Sequence, residues 1–261
     1  MELLIVFFKG ALASLAIFLF FWAVSLIIKN PSIIDVCWGM GFIAITYVYI
    51  THGAGWTTRN AFMFAAVSFW GLRLSYFVLK RLGFGTKEDH RYVTIREKWK
   101  PYVRFNFLVF FVVQAIIECF VSLPFLYIAV NPAGSLSFVD GLAIILCLAA
   151  IIGESVADEQ LERFKHNPSN KGKVCQAGLW NYSRHPNYFF EFMIWFSFYI
   201  FALGSPHGWL SFVSPLIMLH LIINVSGIKF AERLSVERRG AAYRKYQQTT
   251  SMFIPLPKRA I

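Results

Sequence analysis

LIVFFKGALASLAIFLFFWAVSLII, residues 4–28, is an apolar stretch with Lys9 as its one charged side chain. A helix needs about 20 mainly apolar residues to cross a bilayer, so this stretch predicts a membrane span. It lacks the basic start and the small-residue cleavage site of a signal peptide. We therefore expect it to be retained as a transmembrane helix.

Similar apolar stretches recur along the rest of the chain. Of the 261 residues, 57% are hydrophobic and 15% are charged, which is outside the usual range of a soluble domain. About seven spans are expected, at 4–28, 33–52, 61–79, 105–130, 136–157, 188–205 and 208–228. The sequence therefore predicts an all-α integral membrane bundle that forms a single domain over 1–261.

The net charge of +11 is distributed unevenly. Lys and Arg cluster between spans three and four, between five and six, and after span seven, whereas the connections after spans four and six hold none. By the positive-inside rule these basic segments and the C-terminus are cytoplasmic, and the N-terminus is outside. Topology and attraction to anionic lipid explain most of this charge, so we expect no nucleic-acid partner.

The sequence carries no familiar metal or nucleotide motif. Its four cysteines have no spacing typical of a zinc site or a disulfide framework, and no Rossmann fingerprint is present. We expect no metal, and a nucleotide would have to bind without a Rossmann domain.

Ionisable side chains inside the apolar spans mark candidate sites, because such groups are costly in lipid and usually face the bundle interior. Asp35 and Trp38 share a face of the second span, and Arg73 on the third is the nearest candidate counter-ion. Asp35 therefore either pairs with Arg73 or meets the polar end of a substrate. Gln114 and Glu118 share a face of the fourth span and complete the substrate-binding set, although Glu118 could instead reach the interface.

A polar stretch at 154–191, ESVADEQLERFKHNPSNKGKVCQAGLWNYSRHPNYFFE, interrupts the apolar second half. Pro186 can begin the sixth span, which puts Arg184 and His185 just outside a helix N-terminus. A guanidinium beside a helix N-terminus is typical of an anion site. The tail after span seven predicts either an amphipathic interfacial helix or a lid whose Arg and Tyr side chains bind phosphate and a base.

GLWNYSRHPNY (178–188), followed by a long span and an E-R-L…A-Y-R-K-Y…F-I-P-x-P tail, resembles the C-terminal domain of the steroid 5-alpha-reductase family. I-D-V-C-W-G (34–39), W-G-L-R-L (70–74) and K-E-D-H-R-Y (87–92) resemble its bacterial branch of unknown substrate. The resemblance covers nearly the whole chain and extends to sterol reductases. It implies a bacterial inner-membrane reductase that binds NADPH on the cytoplasmic side.

The resemblance also implies a division of roles between 1–130, the substrate-side helices, and 131–261, the cofactor-binding half. Its cofactor positions in the second half correspond to Asp158, Gln160, Lys165, Tyr182, Arg184, His185, Asn187, Glu191, Arg238, Tyr243 and Tyr246. Arg73, Asp89 and Arg91 match positions at the other side of the nucleotide.

Two departures keep alternatives open. Animal steroid 5-alpha reductases carry a Gln-Glu pair on the second span where this chain has Asp35 and Trp38, so a steroid substrate does not follow from the resemblance. R-H-P-x-Y is also shared with isoprenylcysteine carboxyl methyltransferases, which bind S-adenosylmethionine. Residues 158–187 and 229–261 together hold 13 Lys/Arg and 5 Asp/Glu, and this excess favours the polyanion NADPH over a sulfonium cation.

The sequence thus predicts hydride transfer from NADPH to a double bond of a steroid-like or isoprenoid-like substrate that enters from the membrane. Asp35, protonated in an apolar site, is a candidate catalytic acid, and Tyr76, Tyr92 and Tyr47 are alternative proton donors. The alternatives are an S-adenosylmethionine-dependent methyltransferase and a non-catalytic lipid-binding protein. The expected partners are a lipophilic substrate and membrane lipid, and we expect a monomer.

Overall fold

The computed structural model describes residues 2–83 and 87–259, which form helices and turns and no β-strand. In chain order the helices are α1 (Glu2–Ile28), α2 (Ile34–His52), α3 (Thr58–Arg81), α4 (His90–Lys98), α5 (Val103–Val121), α6 (Leu123–Ala129), α7 (Phe138–His166), α8 (Pro186–Leu203), α9 (Val213–His220), α10 (Ile228–Arg239) and α11 (Ala241–Thr249). A π-helix, Leu221–Val225, follows α9, and short 3₁₀ helices join other elements.

Six helical segments in the described residues are long and apolar enough to cross a membrane, which confirms an integral membrane helical bundle. They are Glu2–Ile28, Pro31–His52, Thr58–Arg81, Val103–Val121, Phe138–His166 and Gly208–Arg239. The span expected at 188–205 is present as the helix α8, which is not among these six and carries Asn187 and Glu191 in its first two turns.

The span expected at 105–130 forms two helices and not one, because Ser122 separates α5 from α6. Pro124 lies in the first turn of α6, where its missing N–H does not break a helical hydrogen bond. The apolar stretch is therefore continuous in sequence, but it forms two helices.

Side-chain caps begin three of the elements in the first half. Asn30 accepts from the Ser32 amide before a 3₁₀ turn, and Thr57 caps the start of α3. Asp89 accepts from the Arg91 amide and begins α4, which fixes Arg91 and Tyr92 in the first turn of that helix.

The chain forms two compact units. The first contains Met1–Asp140 and Phe201–Ser211, and the second contains Gly141–Ile200 and Phe212–Ile261. In the first unit α2 and α3 approach closely at Gly39 and Gly71, where a Cβ on Gly39 would lie 2.2 Å from the Gly71 carbonyl oxygen. Small residues at such crossings are typical of membrane helix pairs.

Candidate functional site

A cavity of about 280 Å³ lies in the second unit, between the end of α7, the loop before α8, and helices α10 and α11. Four cationic side chains line it: Lys165, Arg184, Arg238 and Arg239. No Asp or Glu is among its lining residues in the described chain. The cavity is therefore suited to an anionic ligand.

Aromatic rings form much of the remaining wall. The His185 ring stacks on Tyr188 with centroids 5.7 Å apart, and Trp180, Tyr243 and Tyr246 also line the cavity. Burial raises the pKa of Tyr243 to about 12, so its hydroxyl stays protonated at neutral pH. Such rings beside cations are typical of sites that hold a flat heterocycle next to a phosphate.

Arg184 anchors the C-terminal tail to the loop before α8. Its Nε donates to Glu232 at 2.5 Å, and its Nη1 donates to the carbonyls of Gln247 at 3.0 Å and Thr250 at 2.6 Å. Arg184 is 8% exposed, so these are largely desolvated contacts. Two of its three guanidinium nitrogens, Nε and Nη1, are thus hydrogen-bonded within the protein.

The neighbouring motif residues also bind the tail. The Ser183 hydroxyl donates to the Phe253 carbonyl at 2.7 Å, and the Arg184 backbone amide donates to the Ser251 carbonyl at 2.8 Å. The Tyr246 hydroxyl donates to the Trp180 carbonyl. Tyr246 is buried in these contacts, so α11 packs against the loop before α8 through this residue.

Glu232 on α10 was not among the sequence-predicted site residues. Besides Arg184, it accepts from His185 Nε2 at 3.3 Å and from Gln247 Nε2 at 2.9 Å. Burial lowers the pKa of His185, against the opposing effect of Glu232. The signal that could have identified Glu232 is its place in the E-R-L segment of the tail that carries the family resemblance.

Seven of the eleven cofactor positions carried over in the second half line this cavity, and four do not. Those lining it are Lys165, Arg184, His185, Asn187, Arg238, Tyr243 and Tyr246. Of the others, Asp158 accepts from Asn187 Nδ2 at 3.1 Å and Glu191 accepts from Trp195 Nε1 at 2.9 Å. Gln160 accepts from the Leu179 amide at 2.9 Å, beside Gly178, and Tyr182 is half exposed.

The first unit contains a separate cluster around Asp35. Asp35 Oδ2 lies 2.6 Å from Arg91 Nη2 and 3.1 Å from Arg81 Nη2, and Oδ1 accepts from the Tyr92 hydroxyl at 2.6 Å. The alternative that Asp35 pairs with Arg73 is therefore wrong. The Arg73 guanidinium lies over the Phe77 ring, 5.2 Å from its centroid.

Each charged side chain around Asp35 has a partner of opposite charge. Asp89 lies 3.0 Å from Arg91 and 3.4 Å from Arg81, so two carboxylates share two guanidinium groups. Burial alone would raise the pKa of Asp89, but hydrogen bonds and charge from Arg91 hold it below its ordinary value. Burial and the nearby Asp35 raise the pKa of Tyr92. The three donors around Asp35 suit a carboxylate and not the protonated acid that the sequence analysis proposed.

The other residues predicted to bind substrate form hydrogen-bonded pairs in the first unit. Trp38 Nε1 donates to Gln114 Oε1 at 3.2 Å. Glu118 is fully buried, its Oε2 accepts from the Ser14 hydroxyl at 2.5 Å, and it lies against Gly41. The alternative that Glu118 reaches the interface is therefore wrong.

Tyr76 and Tyr47 are not part of these clusters. Both are more than half exposed, and their rings contact Phe77 and Trp56 respectively. Among the three tyrosines considered as proton donors, the structure brings only Tyr92 to Asp35.

Residues 21–250 match the model of a family described as "Protein of unknown function (DUF1295)". An uncharacterized protein of the fission yeast Schizosaccharomyces pombe is 26% identical, over 95% of this chain and 79% of that protein. No solved structure matches this chain.

Proposed function

Since the chain belongs to the family described as "Protein of unknown function (DUF1295)", which is associated with steroid 5-alpha-reductase-like proteins, we propose that it is a membrane-embedded NADPH-dependent reductase. Its substrate would be an apolar, steroid-like or isoprenoid-like molecule with a reducible double bond. The cofactor site would face the cytoplasm of a bacterial inner membrane.

The observation that carries this proposal is the cavity of the second unit, whose lining includes four cations and, among the described residues, no carboxylate. NADPH brings a pyrophosphate and a 2′-phosphate, which such a lining attracts. S-adenosylmethionine has no phosphate and carries a cation, which the same lining repels. Glu232 and Glu162 pair with Arg184 and Lys165, and the positive charge that remains on Arg238 and Arg239 favours the reductase over the methyltransferase.

Different residues of the cavity would bind different parts of the cofactor. Lys165, Arg238 and Arg239 would pair with phosphate oxygens, and Tyr243 would pack on a heterocyclic ring. The cavity volume of about 280 Å³ lies just below the usual range of small-molecule sites, so the cavity suits one part of a dinucleotide. When bound, NADPH supplies a hydride.

The reduction also needs a proton, and the first unit offers a candidate donor. The Tyr92 hydroxyl is buried and fixed by Asp35 at 2.6 Å, whereas Tyr76 and Tyr47 are exposed. As a carboxylate held by Arg91, Asp35 is suited to orient Tyr92 and not to donate a proton itself. We therefore propose Tyr92 as the donor and Asp35 as the residue that positions it. Because burial and Asp35 raise the pKa of Tyr92, the positive charge of Arg91 would have to stabilise the tyrosinate that donation leaves.

The test is ligand identification followed by titration. Protein purified in detergent is denatured, and the released small molecules are analysed by mass spectrometry. Calorimetric titration then compares NADPH, NADH and S-adenosylmethionine. We expect tightest binding of NADPH. Equal affinity for NADPH and NADH would contradict a 2′-phosphate site, and binding of S-adenosylmethionine alone would favour the methyltransferase.

A pair of variants ties the result to the cavity. Arg238→Gln removes a lining cation, and Arg244→Gln removes an exposed cation of the tail that does not line the cavity. We expect NADPH affinity to fall by about 1.5–3 kcal/mol in the first variant and to be nearly unchanged in the second. Equal losses would mean that the tail acts only through its overall charge.

A further inference from the structure

Two side chains of the cavity wall have their donor ends occupied by carboxylates. Glu232 Oε1 lies 3.3 Å from His185 Nε2, and Asp158 Oδ1 lies 3.1 Å from Asn187 Nδ2. His185 and Asn187 both line the cavity, at the start of α8.

A carboxylate only accepts hydrogen bonds, so each of these contacts fixes a proton. Nε2 of His185 must carry the hydrogen that Glu232 accepts. In a neutral imidazole the other nitrogen, Nδ1, is then an acceptor. In the same way Asn187 must turn its NH₂ group to Asp158, which leaves Oδ1 as the acceptor end.

Neither acceptor end is used by the protein in the part of the chain that the structure describes. Asn187 Oδ1 is buried and has no hydrogen-bond partner there, and His185 Nδ1 makes no hydrogen bond there either. For Asn187 Oδ1 burial without a partner is costly, and a bound ligand that supplies a donor would offset that cost. In the described residues none of the cavity's cations donates to Asn187 Oδ1.

We propose that Glu232 and Asp158 are positioning residues that leave His185 Nδ1 and Asn187 Oδ1 as a pair of hydrogen-bond acceptors for the ligand. The cavity thus takes a molecule that combines an anionic group with neutral O–H or N–H donors, such as a phosphorylated sugar. An anion that carries no hydrogen-bond donor would contact the cations of the cavity but leave both acceptors without a partner. The identity of that ligand as NADPH rests on the proposed function, whereas the orientation of the two side chains does not.

The orientation of His185 is tested without any ligand. In protein with ¹⁵N-labelled histidine, nuclear magnetic resonance in detergent reports which ring nitrogen carries the proton, and His185→Phe assigns the signal. We expect a neutral ring protonated on Nε2. Protonation on Nδ1 would overturn the proposal, and His185→Gln provides the same assignment if His185→Phe does not fold.

Glu232→Gln tests the cause of that orientation. A glutamine amide both accepts and donates, so the exclusive Nε2–H form should give way to a mixture. Glu237→Gln, on the exposed side of the same helix, should leave the signal unchanged. An unchanged signal in Glu232→Gln would show that Glu232 does not set the tautomer.

Two probes test the acceptor pair. NADPH carries phosphates and neutral donors, and inorganic pyrophosphate carries the anion alone. We expect His185→Phe and Asn187→Leu each to weaken NADPH about fivefold to tenfold and to leave pyrophosphate nearly unchanged. Equal weakening of both probes would overturn the acceptor role. If NADPH fails to bind the unmodified protein, the proposed function fails, and the tautomer measurement still decides this inference.

Discussion

Arg91 Nη2 lies 2.6 Å from Asp35 Oδ2, and this ion pair joins the first turn of α2 to the first turn of α4. Both side chains are about one fifth exposed, so water screens the pair only in part. The same carboxylate receives Arg81 and the Tyr92 hydroxyl. Asp35 therefore organises three donors, and its loss should affect the first unit as a whole.

Asp35→Asn should lower the free energy of unfolding by about 1–3 kcal/mol, because the amide removes one of the two carboxylates that pair with Arg91 and leaves only Asp89. Chemical or thermal unfolding in detergent measures this. The matched control is Glu97→Gln, which breaks an exposed pair with Lys100 and should change stability by less than about 0.5 kcal/mol. A stable Asp35→Asn protein would show that the ion pair contributes nothing net.

A second ion pair of the first unit is more deeply buried. Arg59 Nη2 lies 2.8 Å from Asp140 Oδ1, with the two side chains 2% and 1% exposed, and Arg59 also donates to Ser205 and to the Phe201 carbonyl. Asp140→Asn should therefore cost about 3–5 kcal/mol, more than Asp35→Asn, since it leaves a buried guanidinium unpaired. The ranking of the two variants in one unfolding series is the test. An equal or reversed order would contradict the burial argument.

The helices of this protein could be predicted from sequence because their signals are local. Apolar stretches of about 20 residues mark the spans, and caps such as Thr57 and Asp89 lie at the starts of the helices they begin. The break at Ser122 was missed, because Pro124 lies within an apolar run whose composition does not change there.

The partners within the candidate sites could be predicted only in part, because they depend on tertiary packing. The counter-ion of Asp35 was sought on the adjacent span, whereas Arg91 comes from α4, 56 residues along the chain. Glu232 was missed because its partners, Arg184 and His185, reach it only after the tail folds back over the loop before α8. The basic and aromatic composition of the cavity, by contrast, was visible in the sequence.

Arg184→Ala should loosen the tail as well as weaken ligand binding. The variant loses two hydrogen bonds to the carbonyls of Gln247 and Thr250 and leaves Glu232 without its closest cation, so we expect a stability loss of about 2–4 kcal/mol. Hydrogen–deuterium exchange should rise in 243–256. Arg244→Ala, which removes an exposed arginine of α11, is the control and should exchange as the unmodified protein does. If the two variants exchange alike, Arg184 does not anchor the tail.

Acid should destabilise the second unit through His185. Burial holds the pKa of His185 below its ordinary value of about 6.5, and Arg184 acts in the same direction, while Glu232 opposes both. As the pH falls past about 6.5, His185 therefore takes up a proton in the unfolded chain but not in the folded protein. The free energy of unfolding consequently falls as the pH drops below about 6.5. Unfolding in detergent at about pH 7.5 and about pH 5.5 measures the loss, and His185→Phe should remove part of it because the ring no longer titrates. His166→Phe, which replaces an exposed histidine, should keep the full loss. An identical pH dependence in the unmodified protein and His185→Phe would show that His185 takes up its proton equally well in the folded and unfolded states, and that burial does not exclude the charge from the cavity wall.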